Sequence, residues 1–230
     1  KDRLLLYELS KNARLPYSQL AKKANVSQET ARYRVQRLEK EGIIKKYVLH
    51  TNAKLLGYSI YQIFLKLQNV KESEKAKIIN FLVKNDHMAW VAEIEGNYEI
   101  AMIMIIKDQI ELQKVIEEIS EEFSGKIVNK NISLLLKGEF FARDYLLDEK
   151  KREKSIADYH SFEKTISLDE TDKKICLALS KNARSQFIEI ASKLNLSADA
   201  INLRIKKLQQ RGVITGFTVE IDHVKLNQYH

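Results

Sequence analysis

One stretch of the chain occurs twice in a fixed register. Residues 2–52 align with residues 172–222 at a constant offset of 170 positions, without a gap, and fifteen positions are identical. The longest identical run is 9–14, which returns as 179–184. A repeat in constant register marks one structural unit that is used twice. The duplication therefore predicts two copies of a small module, separated by a segment of different structure.

Each copy predicts three helices followed by an extended segment. In the first copy, apolar residues recur at helical spacing near 2–12, 16–24 and 27–41, and an extended stretch covers 43–49. A short helix, a tight connection and a longer helix with polar, basic outer residues are typical of a helix-turn-helix. The extended stretch is expected to supply its wing.

The ends of the third helix carry clear signals in both copies. Ser27 and Ser197 stand where a hydroxyl can accept a free backbone N–H at the helix start. Gly42 and Gly212 follow the last turn, where a left-handed backbone favours glycine. These signals predict a well-defined third helix in each module.

The segment between the copies has a different pattern. Its apolar periodicity predicts strand, helix, strand, strand, helix and strand, near residues 58–68, 72–85, 89–95, 98–106, 108–123 and 127–142. This βαββαβ order is ferredoxin-like and by itself determines no function. The chain is thus predicted to be α+β: a winged helix-turn-helix over 1–57, a ferredoxin-like domain over 58–146, a linker over 147–168 and a second winged helix-turn-helix over 169–230.

Positive charge is concentrated in the repeated modules. Residues 2–52 contain 11 Lys or Arg against 5 Asp or Glu, and residues 172–222 contain 9 against 5. Residues 60–150 instead contain 12 basic against 16 acidic side chains. This division favours modules that contact a polyanion, and double-stranded DNA is the partner expected for a helix-turn-helix.

Several other classes of protein are disfavoured. Cys176 is the single cysteine, and no Cys or His cluster has metal-ligand spacing, so neither a disulfide, a metal nor a cofactor is predicted. No apolar run is long enough to cross a bilayer, and no signal segment opens the chain. A cytoplasmic protein without catalytic residues is expected.

Candidate DNA contacts lie on the outer side of the third helix and on the wing. Helical geometry turns Glu29, Arg32 and Tyr33 away from the apolar stripe, whereas Arg34 and Arg204 lie at its edge, as salt-bridge or phosphate-contact residues. In the second copy Leu203 replaces Tyr33, so that copy is expected to differ in what it reads. The full predicted set is Gln28, Glu29, Thr30, Arg32, Tyr33, Arg34, Gln36, Arg37, Lys45, Lys46, Asn202, Arg204, Lys206 and Lys207.

These residues resemble the Lrp/AsnC family of transcription regulators over nearly the whole chain. The motifs that carry the resemblance are Lys11-Asn12-Ala13-Arg14, Gln19-Leu20-Ala21, Val26-Ser27, Arg34-Val35-Gln36-Arg37-Leu38-Glu39, Glu41-Gly42-Ile43-Ile44 and Gly96-Asn97-Tyr98-Glu99. The resemblance implies that the ferredoxin-like segment is a ligand-sensing domain, called RAM. It further implies a homo-dimer or higher homo-oligomer through that domain, and a small-molecule effector such as an amino acid near Gly96, Asn97, Tyr98 and Glu99.

A narrower resemblance is to archaeal members in which the helix-turn-helix and RAM unit is duplicated. Trp90, Gly96 and the sequence from Phe140 to Leu146 carry it. The second RAM domain is missing here, because the chain stops at 227–230, where the first copy runs into its RAM strand. The sequence is therefore expected to be a fragment of a longer chain.

Two alternatives remain open at this point. Siroheme decarboxylases share the two-domain architecture, and the middle segment offers His87 and Arg143 for an anionic tetrapyrrole. The other alternative is an assembly or sensor module that binds proteins, for which Leu203 on the second copy is the main support.

Overall fold

The computed structural model describes residues 1–147, 157–160 and 165–228. The α+β class is confirmed, with the elements α1 (Asp2–Lys11), α2 (Tyr17–Ala24), α3 (Gln28–Lys40), β1 (Ile44–Thr51), β2 (Ser59–Leu67), α4 (Glu72–Lys84), β3 (Met88–Glu93), β4 (Ile100–Ile106), α5 (Gln109–Glu122), β5 (Ile127–Leu134), β6 (Lys137–Phe140), β7 (Ala157–His160), α6 (Glu170–Lys181), α7 (Phe187–Leu194), α8 (Ala198–Gln210), β8 (Ile214–Ile221) and α9 (His223–Gln228). Two 3-10 turns cover Ala53–Leu56 and Asp144–Leu146.

The chain forms two compact units. One contains residues 1–52, 139–158 and 167–230, and the other contains residues 53–138 and 159–166. Most of the segment predicted as a linker, 148–156 and 161–164, lies outside the described residues. Its described part includes β7, which pairs with β6.

The ends of the third helix of each module are as expected. The hydroxyl of Ser27 accepts the amide N–H of Thr30 at 3.1 Å, and Ser197 accepts that of Ala200 at 3.1 Å. Gly42 and Gly212 are left-handed, with φ of 71° and 73°. The tight connection expected before the third helix lies at Asn25 and, in the second module, at Asn195. These residues end α2 and α7 in left-handed conformations that Asn tolerates better than most residues. They create the tight turn before α3 and α8.

The apolar stripe of the third helix forms the core of each module. Ala31, Val35 and Leu38 on α3 are fully buried, and in the second module the equivalent residues Ile201, Ile205 and Leu208 are at most 3% exposed. Burial of these side chains holds each third helix against the two shorter ones and leaves its other side outward.

The two modules are joined by a strand pair rather than by a linker alone. β1 and β8 pair antiparallel, with Val48 opposite Thr218, its own repeat equivalent. Tyr47 lies opposite Val219 and Leu49 opposite Phe217, so the register is that of a local two-fold axis through the central pair. The extended stretch expected as the wing of each module thus pairs with its counterpart in the other module.

Two arginines from the identical run link the modules reciprocally. Arg14 donates from its guanidinium to the backbone oxygens of Ala183, at 2.6 Å, and Ser185, at 3.0 Å. Arg184 donates to the equivalent oxygens in the first module, those of Ala13 and Leu15. In the sequence, this identical run only marked the repeat. In the structure, its arginines make the contact between modules.

Aromatic rings complete the arginine contacts. The Arg14 guanidinium lies 4.3 Å from the ring centroid of Phe187, and that of Arg184 lies 4.7 Å from the centroid of Tyr17, the equivalent ring. Burial, with the positive charge of Arg184 nearby, lowers the pKa of Arg14 to about 10. The Arg14 guanidinium therefore stays charged at neutral pH. Carbonyl oxygens and ring faces offset the repulsion between the two guanidinium groups.

The second unit is built on a four-stranded sheet in the order β3-β4-β2-β5. The neighbours of each central strand run antiparallel, and α4 and α5 cover one face through Ile78, Leu82, Val115 and Ile119. This is the βαββαβ arrangement expected. The last predicted strand, 127–142, is divided, because pairing with β2 ends at Leu134 and β6 pairs with β7 instead.

Loss of either central arginine should destabilise the two-module unit. Arg14→Ala or Arg184→Ala removes two charge-assisted hydrogen bonds and is expected to lower the free energy of unfolding by about 2 to 3 kcal/mol. Lys22→Ala, an exposed lysine on α2, is the control and should change it by less than about 0.5 kcal/mol. Denaturant unfolding measures both. Equal midpoints for the arginine variants and the control would contradict this role.

Candidate nucleic-acid interface

The N-terminal turn of α3 presents polar groups around a shallow groove. Ser27, Gln28, Glu29 and Arg32 line this groove, whose volume is about 490 Å³. The serine cap and the tight turn at Asn25 fix where the helix starts. These side chains therefore project from a backbone of defined position. Exposed donors and acceptors at the start of a helix match what a helix-turn-helix inserts into the major groove.

Two larger side chains extend this surface. Arg32 is exposed, with its guanidinium 5.5 Å from the centroid of the Tyr17 ring, and Tyr33 is 64% exposed. Gln36 is exposed one turn further along. Thr30 is half-buried and shares a 2.8 Å hydrogen bond with the Ser27 hydroxyl, so it belongs to the helix cap.

Two predicted DNA contacts on α3 are held by an acidic residue of α1. Arg34 and Arg37 donate to the two carboxylate oxygens of Asp2, at 2.9 and 2.8 Å. Asp2 is mostly buried, whereas the arginines are about one-third exposed. For Arg34, this geometry matches the salt-bridge interpretation of the sequence. Both arginines tie α3 to α1.

The predicted lysines of the wing face carboxylates of the partner strand and of the residue after it. Lys46 lies 3.1 Å from Glu220 on β8, and Lys45 lies 3.6 Å from Asp222. Both lysines are at least half exposed, so water screens these pairs and each contributes little to stability. The pairs nevertheless lower the net positive charge of the strand pair.

The third helix of the second module has a different outer surface. Arg204 pairs with Asp169 at 2.7 Å and Asp172 at 2.8 Å, as Arg34 does with Asp2. Lys206 and Lys207 are exposed, and Asn202 is half-buried. Leu203 is 55% exposed at the position of Tyr33. The structure thus repeats the internal salt bridge and not the reading surface.

The acidic anchors were missed although the repeat contained a signal for them. Asp2 and Asp172 are identical in the two copies, as are the arginines Arg34 and Arg204 that they bind. An acid and a base retained at equivalent positions of two modules indicate a pair. Asp2 and Arg34 are 32 residues apart in the sequence, and only the folded module brings α1 against α3.

The loop predicted to bind an effector is tied to the neighbouring strand. The Glu99 carboxylate accepts the amide N–H of Leu67 at 2.6 Å and the Lys66 ammonium at 2.8 Å. These contacts, the amide first, lower the pKa of Glu99. Gly96 has a φ of 124°, a conformation that glycine adopts most readily, and Asn97 lies beside it in the same exposed turn. The Tyr98 ring lies 5.5 Å from that of Phe64.

The described residues also bear on metal binding, on thiol reactivity and on the crossing of a membrane. They contain no group of three His, Cys, Asp or Glu side chains placed to hold a metal ion. Burial, with Asp172 nearby, raises the pKa of Cys176 to about 11, so its thiolate is scarce at neutral pH. None of the helices in the described part combines the length and apolar character needed to cross a membrane.

Known proteins resemble the chain in sequence and in fold. The winged helix-turn-helix DNA-binding family model matches residues 1–45 and 168–215. The HTH-type transcriptional regulator LrpA of Pyrococcus horikoshii is 37% identical over 98 residues, which cover 38% of this chain and 69% of that protein.

Two solved structures share the fold. An AsnC family transcriptional regulator from Agrobacterium tumefaciens has a TM-score of 0.54 at 16% identity and covers 64% of this chain and 97% of its own. The siroheme decarboxylase NirDL has a TM-score of 0.61 at 17% identity, covering 96% of this chain and 65% of that one. At these identities the likeness is one of fold alone. The relationship to LrpA, with the matched winged helix-turn-helix modules, shows that the chain belongs to the Lrp/AsnC family of transcriptional regulators.

Proposed function

We propose that the chain binds DNA sequence-specifically and reads it with the first turns of α3. The exposed polar surface at the start of that helix carries the proposal, because Gln28, Glu29 and Arg32 project from a capped, well-packed helix. Basic side chains near the interface would displace counterions from phosphates, which makes affinity depend on salt. Arg32 is the side chain best suited to a guanine edge.

The proposed organisation follows the family pattern in part. We assign residues 1–57 and 169–230 to the two winged helix-turn-helix modules, 58–146 to a RAM domain and 147–168 to the connection between them. The sheet face opposite α4 and α5 carries Ile60, Ile103 and Ile105, and Trp90 is 48% exposed. Its apolar side chains are the surface through which a homo-dimer or a higher homo-oligomer would form. We place a small-molecule effector near 96–99 and the protein in the cytoplasm.

The reciprocal arginine contacts and the β1–β8 pair support a second feature of DNA binding. They hold both modules in one compact unit, so a single chain presents α3 and α8 together. The outer surfaces of these helices differ, with Arg32 and Tyr33 matched by Asn202 and Leu203. A site read by both helices would therefore consist of two unlike halves, unlike the palindrome that a symmetric dimer requires.

Replacing Arg32 should change both affinity and specificity. Arg32→Ala is expected to weaken binding by about 1 to 3 kcal/mol and to relax the preference at one base pair. Lys40→Ala, exposed at the other end of α3, is the control. Binding to DNA selected from a random pool, at several salt concentrations, measures both effects. Uniform weakening over all sequences would make Arg32 a phosphate contact instead.

Selected binding sites should contain two unlike halves. Selection from random DNA, repeated with Gln28→Ala and with Asn202→Ala, is expected to alter base preferences in one half with the first variant and in the other half with the second. A change of base preferences in the same half of the site with both variants would contradict reading of one site by both helices of a single chain. Preferences unaffected by Asn202→Ala would restrict sequence reading to the first module.

The fold likeness to NirDL over nearly the whole chain favours siroheme decarboxylation as a second candidate. One of its candidate residues is poorly placed for an anionic tetrapyrrole, because His87 lies 3.7 Å from the Glu111 carboxylate. Anaerobic addition of siroheme is therefore expected to leave the tetrapyrrole spectrum unchanged. A saturable spectral shift that His87→Ala abolishes would favour the enzyme over the regulator.

A further inference from the structure

The first helices of the two modules differ in how far they are covered. On α1, all six residues from Leu5 to Ser10 are buried, including Tyr7, which is 3% exposed. On α6, the counterpart of Tyr7 is Leu177, which is 60% exposed, and Ser180 is exposed as well. A covered face in one module thus has an open equivalent in the other.

A short segment of the chain contributes to the cover on α1. The 3-10 turn Asp144–Leu146 packs against α1, and Leu146 is only 2% exposed. Leu146 and Leu147 lie beside the first turn of α1, next to Leu4. The sequence of this segment from Asp144 to Glu149 is Asp-Tyr-Leu-Leu-Asp-Glu, which combines acidic and large apolar side chains.

A salt bridge also closes the first module between α1 and α2. Glu8 is buried and lies 2.9 Å from the ammonium of Lys23. The second module has Ala178 at the position of Glu8, so Lys193, the counterpart of Lys23, loses that carboxylate. The smaller side chain leaves space between α6 and α7 and a lysine at its edge.

The result is a groove of about 300 Å³ between α6 and α7. Leu177 and Leu194 supply apolar surface above the buried Ile190. Three lysines, Lys174, Lys181 and Lys193, lie among the lining residues together with Glu189. Apolar surface enclosed by positive charge matches an acidic segment with apolar side chains. It matches nucleic acid less well, because a phosphate backbone does not fill an apolar groove.

We propose that this groove binds a short acidic segment of a partner protein, one that inserts leucine or tyrosine side chains and sets carboxylates against the three lysines. Charge complementarity and the first module both support this occupant. In the first module, the described residues Asp144 to Leu147, one acidic and three large apolar side chains, lie beside the first turn of the equivalent helix. The proposal concerns the second module alone and does not depend on DNA binding.

A labelled peptide with the sequence Asp-Tyr-Leu-Leu-Asp-Glu tests the proposal by fluorescence anisotropy with the whole chain. Saturable binding that weakens with salt is expected. Leu177→Glu should weaken it by about tenfold or more, since it replaces buried apolar contact with a negative charge. Ile188→Glu is the matched control, because Ile188 on α7 is 65% exposed and does not line the groove. It should leave affinity unchanged.

Further controls decide between occupants. A peptide with both leucines replaced by serine should not bind, and the unfolding midpoints of both glutamate variants should equal that of the parent chain. No binding, or equal binding to the two variants, would overturn the proposal. A change of oligomeric state with Leu177→Glu in the absence of peptide would also overturn it, since a second copy of the chain would then occupy the groove.

Discussion

The structure of the two-module unit depends on the reciprocal bonding of Arg14 and Arg184. Each guanidinium lies between the first two helices of its own module and donates to backbone oxygens of the other, next to an aromatic ring. The backbone adds the same symmetry, because the Ala13 amide N–H donates to Phe217 and that of Ala183 to Tyr47. Because the geometry is two-fold, each such contact occurs twice, and one identical sequence run supplies arginine contacts in both directions.

This association determines how the basic side chains are used. Pairing of β1 with β8 places lysines of the first module against carboxylates of the second, and internal acids hold Arg34, Arg37 and Arg204. Positive charge counted along the sequence therefore overstates what is free for a partner. Exposed polar side chains at the start of α3, Arg32 among them, make the first module the proposed reader of DNA.

The ends of the helices could be predicted from the sequence. Local signals determine helix ends, so Ser27, Ser197, Gly42 and Gly212 placed α3 and α8 to within a residue or two. Periodicity likewise gave the strands and helices of the second unit. The divided strand at 127–142 was missed because its break depends on where β2 stops offering a partner, a property of another segment.

By itself, the sequence determined the repeat, the fold of each module, the family and the candidate reading helix, since local propensity and constant register encode these. Only the tertiary structure decided which of the identical residues stabilise a single module and which join the two modules. It also decided which cations are already paired and which face of α6 stays open. Those outcomes depend on contacts between residues about 30 to 210 positions apart, and one-dimensional patterns contain no distances across such separations.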